Sequence, residues 1–190
     1  MSCMISLDLF LVIVASYLLG SIPFAVIIAE IAGIGDITKM GSGNPGATNM
    51  LRVAGKKLGV LNFLLDFTKG FVAVRVGAYF GYENAAFIAA VVGHCFPIFL
   101  RFKGGKGVAT TLGGLLGLNP LTGFLAIGVW LTVFVAFRIS SLSAIISISV
   151  TVMMSMVYWD KFFWAVFVVG TLVIYRHKAN IKRLLRGVEK

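Results

Sequence analysis

The chain has 190 residues, of which 59% are hydrophobic and 13% charged, and its mean hydropathy is +0.98. This composition excludes a soluble globular domain, because such domains are nearer half apolar and a quarter charged. The net charge is +10, but the cations lie in short loops between apolar runs, which favours membrane topology and anionic small molecules over nucleic acid. With two cysteines and two histidines, we expect neither a disulfide framework nor a metal site.

Seven apolar runs predict transmembrane helices, since a helix needs about 20 apolar residues to cross a bilayer. They cover residues 7–29, 60–80, 85–100, 107–118, 121–137, 143–158 and 162–175. The first run follows no basic segment and exceeds a signal-peptide core, so we expect it to be retained. The fourth is too short for a full span and is either a half-helix or re-entrant segment or a short span. We keep it as a span, because without it the later loops would change sides and the charge asymmetry described below would be lost. The predicted fold is an all-α integral membrane protein of about seven transmembrane helices, in one domain over residues 1–190.

Lysine and arginine concentrate on one side of this topology. With seven spans, fourteen of the 17 fall on the side of the C-terminus, whereas Lys161 alone falls on the other side and Lys69 and Arg75 lie within the second run. The positive-inside rule then predicts an outer N-terminus and a cytosolic C-terminus. The outer connections, including the one at residues 159–161, are minimal turns, so we expect any chemistry at the cytosolic face.

The first inner loop, residues 41–49, predicts a phosphate-binding site. Its glycines allow close backbone approach and an inward-facing nest of N–H groups, and Arg52 adds a planar fork suited to phosphate. The polar and glycine positions are Gly41, Ser42, Gly43, Asn44, Gly46, Thr48 and Asn49. The G-x-G-x-x-G pattern at 41–46 does not predict a dinucleotide site, because a membrane helix and not a strand precedes it.

The second inner loop, Lys103-Gly104-Gly105-Lys106-Gly107, places two lysines among glycines and also suits phosphate. The alternative for these lysines is contact with lipid headgroups. His94, at the end of an apolar run, is expected to be structural.

Two further inner segments carry candidate residues. The serines of the third loop, Ser140, Ser141 and Ser143, either cap the next helix or contact a ligand. In the tail, His177 and Asn180 are three residues apart and therefore share a helical face, which favours a role in the site.

Asp66 and Lys69 lie within the second predicted span. Charges in a membrane segment are costly and usually paired. The two side chains either neutralise each other or line the back of a polar cavity, and we expect a structural role.

Several reaction classes are excluded by missing motifs. The inner side has few carboxylates and no paired acids, so glycosidase and two-metal chemistry are excluded. The G-x-S-x-G elbow of hydrolases is absent, as is the His-x₄-Asp motif of acyl-CoA-dependent glycerolipid acyltransferases. What remains is a site rich in cations and donors but poor in bases, which would bind phosphate and stabilise developing negative charge.

These loops together resemble one family over essentially the whole chain. The segment from Gly41 to Asn49 with its downstream arginine, the Gly-His-x-x-Pro and Lys-Gly-Gly-Lys-Gly segments, and the terminal Tyr-Arg-His…Asn are similar to the bacterial acyl-phosphate-dependent glycerol-3-phosphate acyltransferases of the PlsY type. The resemblance implies a seven-helix fold in the bacterial cytoplasmic (inner) membrane with a cytosolic site. It also implies transfer of a fatty acyl group from acyl phosphate to the 1-hydroxyl of sn-glycerol 3-phosphate, which gives lysophosphatidic acid and inorganic phosphate.

The resemblance also assigns roles to residues. It implies that the catalytic residues are Ser42, Arg52, Lys106, His177 and Asn180. It implies that the substrate-binding residues are Gly41, Gly43, Asn44, Gly46, Thr48, Asn49, Lys103, Gly104, Gly105 and Ser141. No metal or cofactor is implied; the expected partners are the two substrates and membrane lipid, with an acyl-phosphate-producing enzyme as a candidate and no nucleic acid. On this hypothesis Arg52, Lys106 and His177 neutralise phosphate charge, and the proton acceptor is either the donor's phosphate or His177.

Two other functions are considered. A transporter for organic phosphates would also need cations at one face, but its polar residues would have to continue to the outer side. The predicted spans are nearly free of charge, which counts against a transporter. An assembly subunit would leave the glycine-rich loops unexplained.

Overall fold

The computed structural model describes residues 2–158 and 161–189, with side chains from Leu7 onward. The described chain contains helices and turns and no strand, which confirms the predicted all-α fold. The helices are α1 (Ser2–Ser21), α2 (Phe24–Ile31), α3 (Ala47–Tyr79), α4 (Glu83–Cys95), α5 (Val108–Leu118), α6 (Pro120–Phe137), α7 (Ser140–Val157), α8 (Phe163–Arg176) and α9 (Lys178–Leu185). Two 3₁₀ turns cover Ile37–Lys39 and Ile98–Leu100. The predicted outer turn at Trp159 and Asp160, the side chain of Cys3, and Lys190 lie outside the described residues.

Four described segments are long and apolar enough to cross a membrane by length and composition. They are Leu7–Ile31, Glu83–Leu100, Pro120–Phe137 and Ser140–Val157. Large apolar side chains on α6, such as Leu121, Phe124 and Val135, are exposed at the surface of the protein. Such a surface would be unfavourable in water and suits contact with lipid chains.

The first predicted span is wrong in one respect, because it is two helices rather than one. Pro23 has no N–H to donate, and the chain is not helical at Ile22 and Pro23. The Ile22 carbonyl at the break accepts a hydrogen bond from Lys69 Nζ at 2.8 Å. A buried charge on α3 therefore satisfies the backbone where the first span is interrupted.

The polar segment before the second predicted span is also helical. Helix α3 starts at Ala47, and a kink at Gly55 separates its short first part from the longer part that holds the predicted span, so Thr48, Asn49 and Arg52 are helical and not part of a loop. The polar first part escapes a search for apolar runs. It joins the apolar part at Gly55, whose φ of 84° lies in the left-handed region that favours glycine.

The remaining predicted spans match helices closely. Helices α6, α7 and α8 agree with the predicted runs to within about three residues at each end, and α4 ends earlier because Pro97 follows it. Helix α5 has only 11 residues and is about 16 Å long, about half the thickness of a bilayer core.

Helix α5 is the centre of the bundle. Residues 109–115 are all buried, and the helix packs against α3, α4, α6 and α8. Glycines allow this close packing: a Cβ on Gly113 would lie 1.9 Å from the Phe67 carbonyl oxygen, and one on Gly70 would lie 2.1 Å from the Thr110 carbonyl oxygen. Because protein surrounds it, a helix too short to span exposes no unsatisfied backbone to lipid.

We expect Gly113→Ala to push α3 and α5 apart and to destabilise the fold by roughly 1–3 kcal/mol, the usual cost of overpacking. Thermal unfolding of the protein in detergent measures this loss. Gly128→Ala is the matched control, since a Cβ there meets no atom within 4 Å. Equal melting temperatures for the two variants would contradict the close packing of α3 on α5.

Candidate active site

Residues far apart in the sequence surround one cavity at the end of the bundle where α3, α5 and α7 begin. We call it the inner cavity. Ten of the predicted site residues line it: Ser42, Asn44, Gly46, Thr48, Asn49, Arg52, Lys106, Ser141, His177 and Asn180. Four others, Gly41, Gly43, Lys103 and Gly104, line a wider outer cavity that shares several of these side chains. Gly105 lines neither of the two, and its contact with substrate stays a prediction.

Three helices point their N-termini at the inner cavity. The first residues of α3 (Ala47), α5 (Val108) and α7 (Ser140) all line it. None of the three helices has a side-chain hydrogen bond at its N-cap. Each N-terminus carries unsatisfied N–H groups and a partial positive charge of about half an elementary charge, so the inner cavity favours an anion before any side chain is counted.

The part of the first inner loop that precedes α3, residues 41–46, is called the first glycine loop, and it is held in place by Asn49. The Asn49 side chain is buried; its Oδ1 accepts from the Ser42 N–H at 2.8 Å, and its Nδ2 donates to the Met40 carbonyl at 3.0 Å. Gly41 and Gly43 have φ values of 57° and 71°, which a side chain would strain. Asn49 therefore shapes the loop, and Ser42 and Asn44 remain at the cavity wall.

The second inner loop, residues 103–107, is called the second glycine loop, and it is fixed by Arg176. Its guanidinium donates to the carbonyl oxygens of Gly104 and Gly105 at 2.7 and 3.0 Å and lies over the Phe96 ring. The sequence did not single out Arg176 for this role. The fixed loop delivers Lys106 to the inner cavity, while Lys103 stays exposed at the outer cavity.

Lys106 has an altered acidity. Burial lowers its pKa to about 8; the nearby Glu189 carboxylate opposes this shift, and the cations Arg183, Arg52 and Arg176 reinforce it. A lysine with this pKa is charged at neutral pH, but it loses its charge under mildly alkaline conditions. A bound phosphate would favour the charged form.

His177 is uncharged at neutral pH. Burial lowers its pKa to about 4; the hydrogen bond to the Val173 carbonyl opposes this shift, and the charge of Lys106 reinforces it. Nδ1 lies 2.7 Å from the Val173 carbonyl oxygen, which can only accept, so Nδ1 carries the proton. The neutral ring therefore keeps its lone pair at Nε2. The predicted neutralisation of phosphate charge by His177 does not fit this neutral state. The cationic side chains that line the inner cavity are Arg52, Lys106 and Arg183, and Arg183 is paired with Glu189.

Glu189 is a residue whose position the sequence did not predict. Its carboxylate accepts hydrogen bonds from Ser141 Oγ at 2.7 Å, from Asn180 Nδ2 and from Arg183 Nε. Partial burial raises the pKa of Glu189, but the three donors outweigh it, so the net pKa lies below the ordinary value. Glu189 therefore ties α7 to α9 across the cavity and orients Ser141 and Asn180. Asn180 Oδ1 is buried without a hydrogen-bond partner in the described chain.

The third-loop serines do not cap α7. Ser140 is the first residue of the helix, and its hydroxyl lies 3.0 Å from that of Thr48 on α3. Ser143 donates to the Ile139 carbonyl, and Ser141 is bound to Glu189. The capping alternative is therefore wrong.

Apolar side chains also line the inner cavity. They are those of Phe63, Val108 and Trp130, and the buried Asp66 and His94 line it as well. Asp66 pairs with Lys69, as expected, and it also faces the cavity, so both alternatives for this pair describe the structure in part. Among the described residues, no group of three His, Cys, Asp or Glu side chains could hold a metal ion.

Comparisons with known proteins agree on one family. The model of the glycerol-3-phosphate acyltransferase family matches residues 10–187. A glycerol-3-phosphate acyltransferase of Wolbachia pipientis subsp. Culex pipiens is 43% identical, covering 97% of this chain and 98% of that protein. The glycerol-3-phosphate acyltransferase of Paramagnetospirillum magneticum is 47% identical, covering 96% of this chain and 93% of that protein.

Solved structures give the same result. A crystal structure of PlsY (YgiH), an integral membrane glycerol 3-phosphate acyltransferase, in its glycerol 3-phosphate form, superposes with a TM-score of 0.91 at 39% identity, covering 96% of this chain and 94% of that chain. The lysophosphatidic acid form of the same protein superposes with a TM-score of 0.88 at 38% identity, with the same coverage of both chains. The resemblance inferred from the loops is confirmed, and the chain belongs to the glycerol-3-phosphate acyltransferase family.

Proposed function

We propose that this protein is a membrane acyltransferase that moves a fatty acyl group from acyl phosphate to the 1-hydroxyl of sn-glycerol 3-phosphate. The observation that carries the proposal is the inner cavity, where Arg52, Lys106 and three uncapped helix N-termini meet. Both substrates carry phosphate, so both need such a site. The side chains of Phe63 and Trp130, which line the same cavity, suit contact with the start of an acyl chain.

The chemistry follows from the groups at the cavity. The glycerol 1-hydroxyl oxygen attacks the acyl carbonyl carbon, the bond between that carbon and the phosphate oxygen breaks, and lysophosphatidic acid and inorganic phosphate leave. Arg52, Lys106 and the helix N-termini stabilise the charge that moves onto the phosphate. Because phosphate is a good leaving group, the reaction needs no strong base, and the hydroxyl proton goes to a phosphate oxygen of the donor.

The other residues orient the reactants. The neutral Nε2 of His177 and the unpartnered Oδ1 of Asn180 are acceptors suited to glycerol hydroxyls. Ser42 and Asn44 on the first glycine loop, and Thr48 in the first turn of α3, supply neutral donors. The glycine loop and Ser42 hold the acyl phosphate, and Lys103 and Gly104 at the outer cavity receive the incoming substrate.

The proposed topology is seven spans with an outer N-terminus and the site at the cytosolic face of the bacterial inner membrane. The concentration of lysine and arginine on the side of the site supports this orientation. The three helices that begin at the inner cavity are those which the seven-span topology starts on the cytosolic side. Both features agree with soluble glycerol 3-phosphate arriving from the cytosol.

The direct test is turnover by the purified protein. With acyl phosphate and glycerol 3-phosphate we expect lysophosphatidic acid by mass detection, together with one inorganic phosphate per product. Acyl-CoA in a parallel reaction should give no product. Failure with acyl phosphate would contradict the proposal, and so would a preference for acyl-CoA.

We expect kcat/KM for glycerol 3-phosphate to fall by up to about tenfold per pH unit above pH 8, because Lys106 then loses its charge in the free enzyme. The substrate phosphate is already fully ionised there, since its second pKa is about 6. Lys106→Arg should remove the fall, since arginine stays protonated. Lys103→Arg, on the same loop, is the control and should keep it. A fall that survives Lys106→Arg would show that another group titrates.

His177→Ala distinguishes the two proton acceptors. If the donor phosphate takes the proton, kcat falls by less than the roughly 10²–10⁴-fold contribution of a general base, and the shape of the pH profile is unchanged. Phosphate binding measured by calorimetry confirms that the variant is folded. Abolished turnover with intact binding, together with loss of a histidine-like titration, would instead identify His177 as the base.

A further inference from the structure

A buried polar cluster lies behind the second glycine loop. It consists of Asp66, Lys69 and His94, whose side chains are 3%, 2% and 7% exposed. Lys69 Nζ lies 2.8 Å and His94 Nδ1 3.5 Å from the same oxygen, Asp66 Oδ1. The amide of Asn62 donates to the other carboxylate oxygen at 3.3 Å. The two helices α3 and α4 therefore share a charged centre inside an apolar bundle.

Stability alone is a weak reason for such a cluster. A buried ion pair is often no more stabilising than apolar side chains of similar volume, because desolvation opposes the attraction. The cluster is also anchored at a third point, since Lys69 binds the Ile22 carbonyl at the break between α1 and α2. The cluster therefore fixes α3, α4 and the break between α1 and α2 relative to one another. Its member His94 lies next to the second glycine loop.

His94 connects the cluster to the second glycine loop. Its backbone carbonyl accepts from the Gly105 N–H at 3.1 Å, and the next carbonyl, of Cys95, accepts from the Gly104 N–H at 3.2 Å. The imidazole lies directly against Gly105, where an added Cβ would be 2.2 Å from Nε2. From the other side, Arg176 holds the carbonyl oxygens of Gly104 and Gly105. The loop is clamped between His94 and Arg176, and the following residue is Lys106.

We propose that Asp66 and His94 are positioning residues, which hold the Gly104–Gly105 backbone so that the Lys106 ammonium meets the substrate phosphate. Asp66 fixes the imidazole through Nδ1, the imidazole supports Gly105, and Lys69 balances the charge of Asp66. This inference rests on the proposed function, since it assigns the support of the phosphate site. It also explains why Gly105 must be a glycine although it does not line the inner cavity: a side chain would displace the ring.

The test is a double-mutant cycle between His94 and Lys106. His94→Phe keeps a ring beneath Gly105, removes the contact with Asp66 and leaves the Asp66–Lys69 pair intact. The measured quantity is the affinity of the full-length protein in detergent for inorganic phosphate, by calorimetry. We expect His94→Phe to weaken binding about tenfold in the wild-type background and by less than about twofold in the Lys106→Ala background. KM for glycerol 3-phosphate should rise by a similar factor while kcat stays within about twofold.

Val74→Ala is the matched control, because Val74 is fully buried on the same helix as Asp66 and lies beside Gly117, near the end of α5 opposite to the loop. It should lower thermal stability without changing phosphate affinity. If His94→Phe does not fold, His94→Asn, which keeps a polar group facing Asp66, is carried through the same cycle. Equal losses in the two backgrounds would overturn the positioning role. Coupling without turnover would contradict the proposed function alone, and turnover without coupling would contradict only this inference.

Discussion

The convergence of three helix N-termini on one cavity is the constraint on which the site depends. Helices α3, α5 and α7 begin there, and none of them has a side-chain hydrogen bond at its N-cap. Each contributes partial positive charge and free N–H groups in surroundings of low dielectric constant, where they act strongly. Arg52 and Lys106 add full charges to this field. On the proposed function, the phosphate group of a substrate takes the place of the missing caps.

The proposed seven-span topology accounts for this convergence. When successive spans run in opposite directions, every second span begins at the same side of the membrane. The N-termini of α3, α5 and α7 therefore lie on one side without any special loop. The central helix α5 can be short because neighbouring helices and not lipid surround it. Close contacts at Gly70 and Gly113 hold α3 against α5, so the two N-termini keep a fixed relation.

Around this centre, several residues shape the site rather than act in it. Asn49 closes the first glycine loop, Arg176 and His94 clamp the second, and Glu189 orients Ser141 and Asn180. Each uses buried polar groups whose hydrogen-bonding capacity is largely satisfied within the protein. The groups left with spare capacity, such as Asn180 Oδ1, are therefore available to a ligand.

The sequence by itself determined the membrane class, the approximate helices and the family, because apolar runs and loop motifs are local properties. It also indicated Ser42, Arg52, Lys106, His177 and Asn180, whose residue types suit phosphate and hydroxyl groups. Only the tertiary structure decided the early start of α3, the neutral state of His177 and the place of Glu189. These depend on burial and on contacts between distant segments. The carboxylate of Glu189 is 48 residues from Ser141 in the sequence, and no local pattern brings the two together.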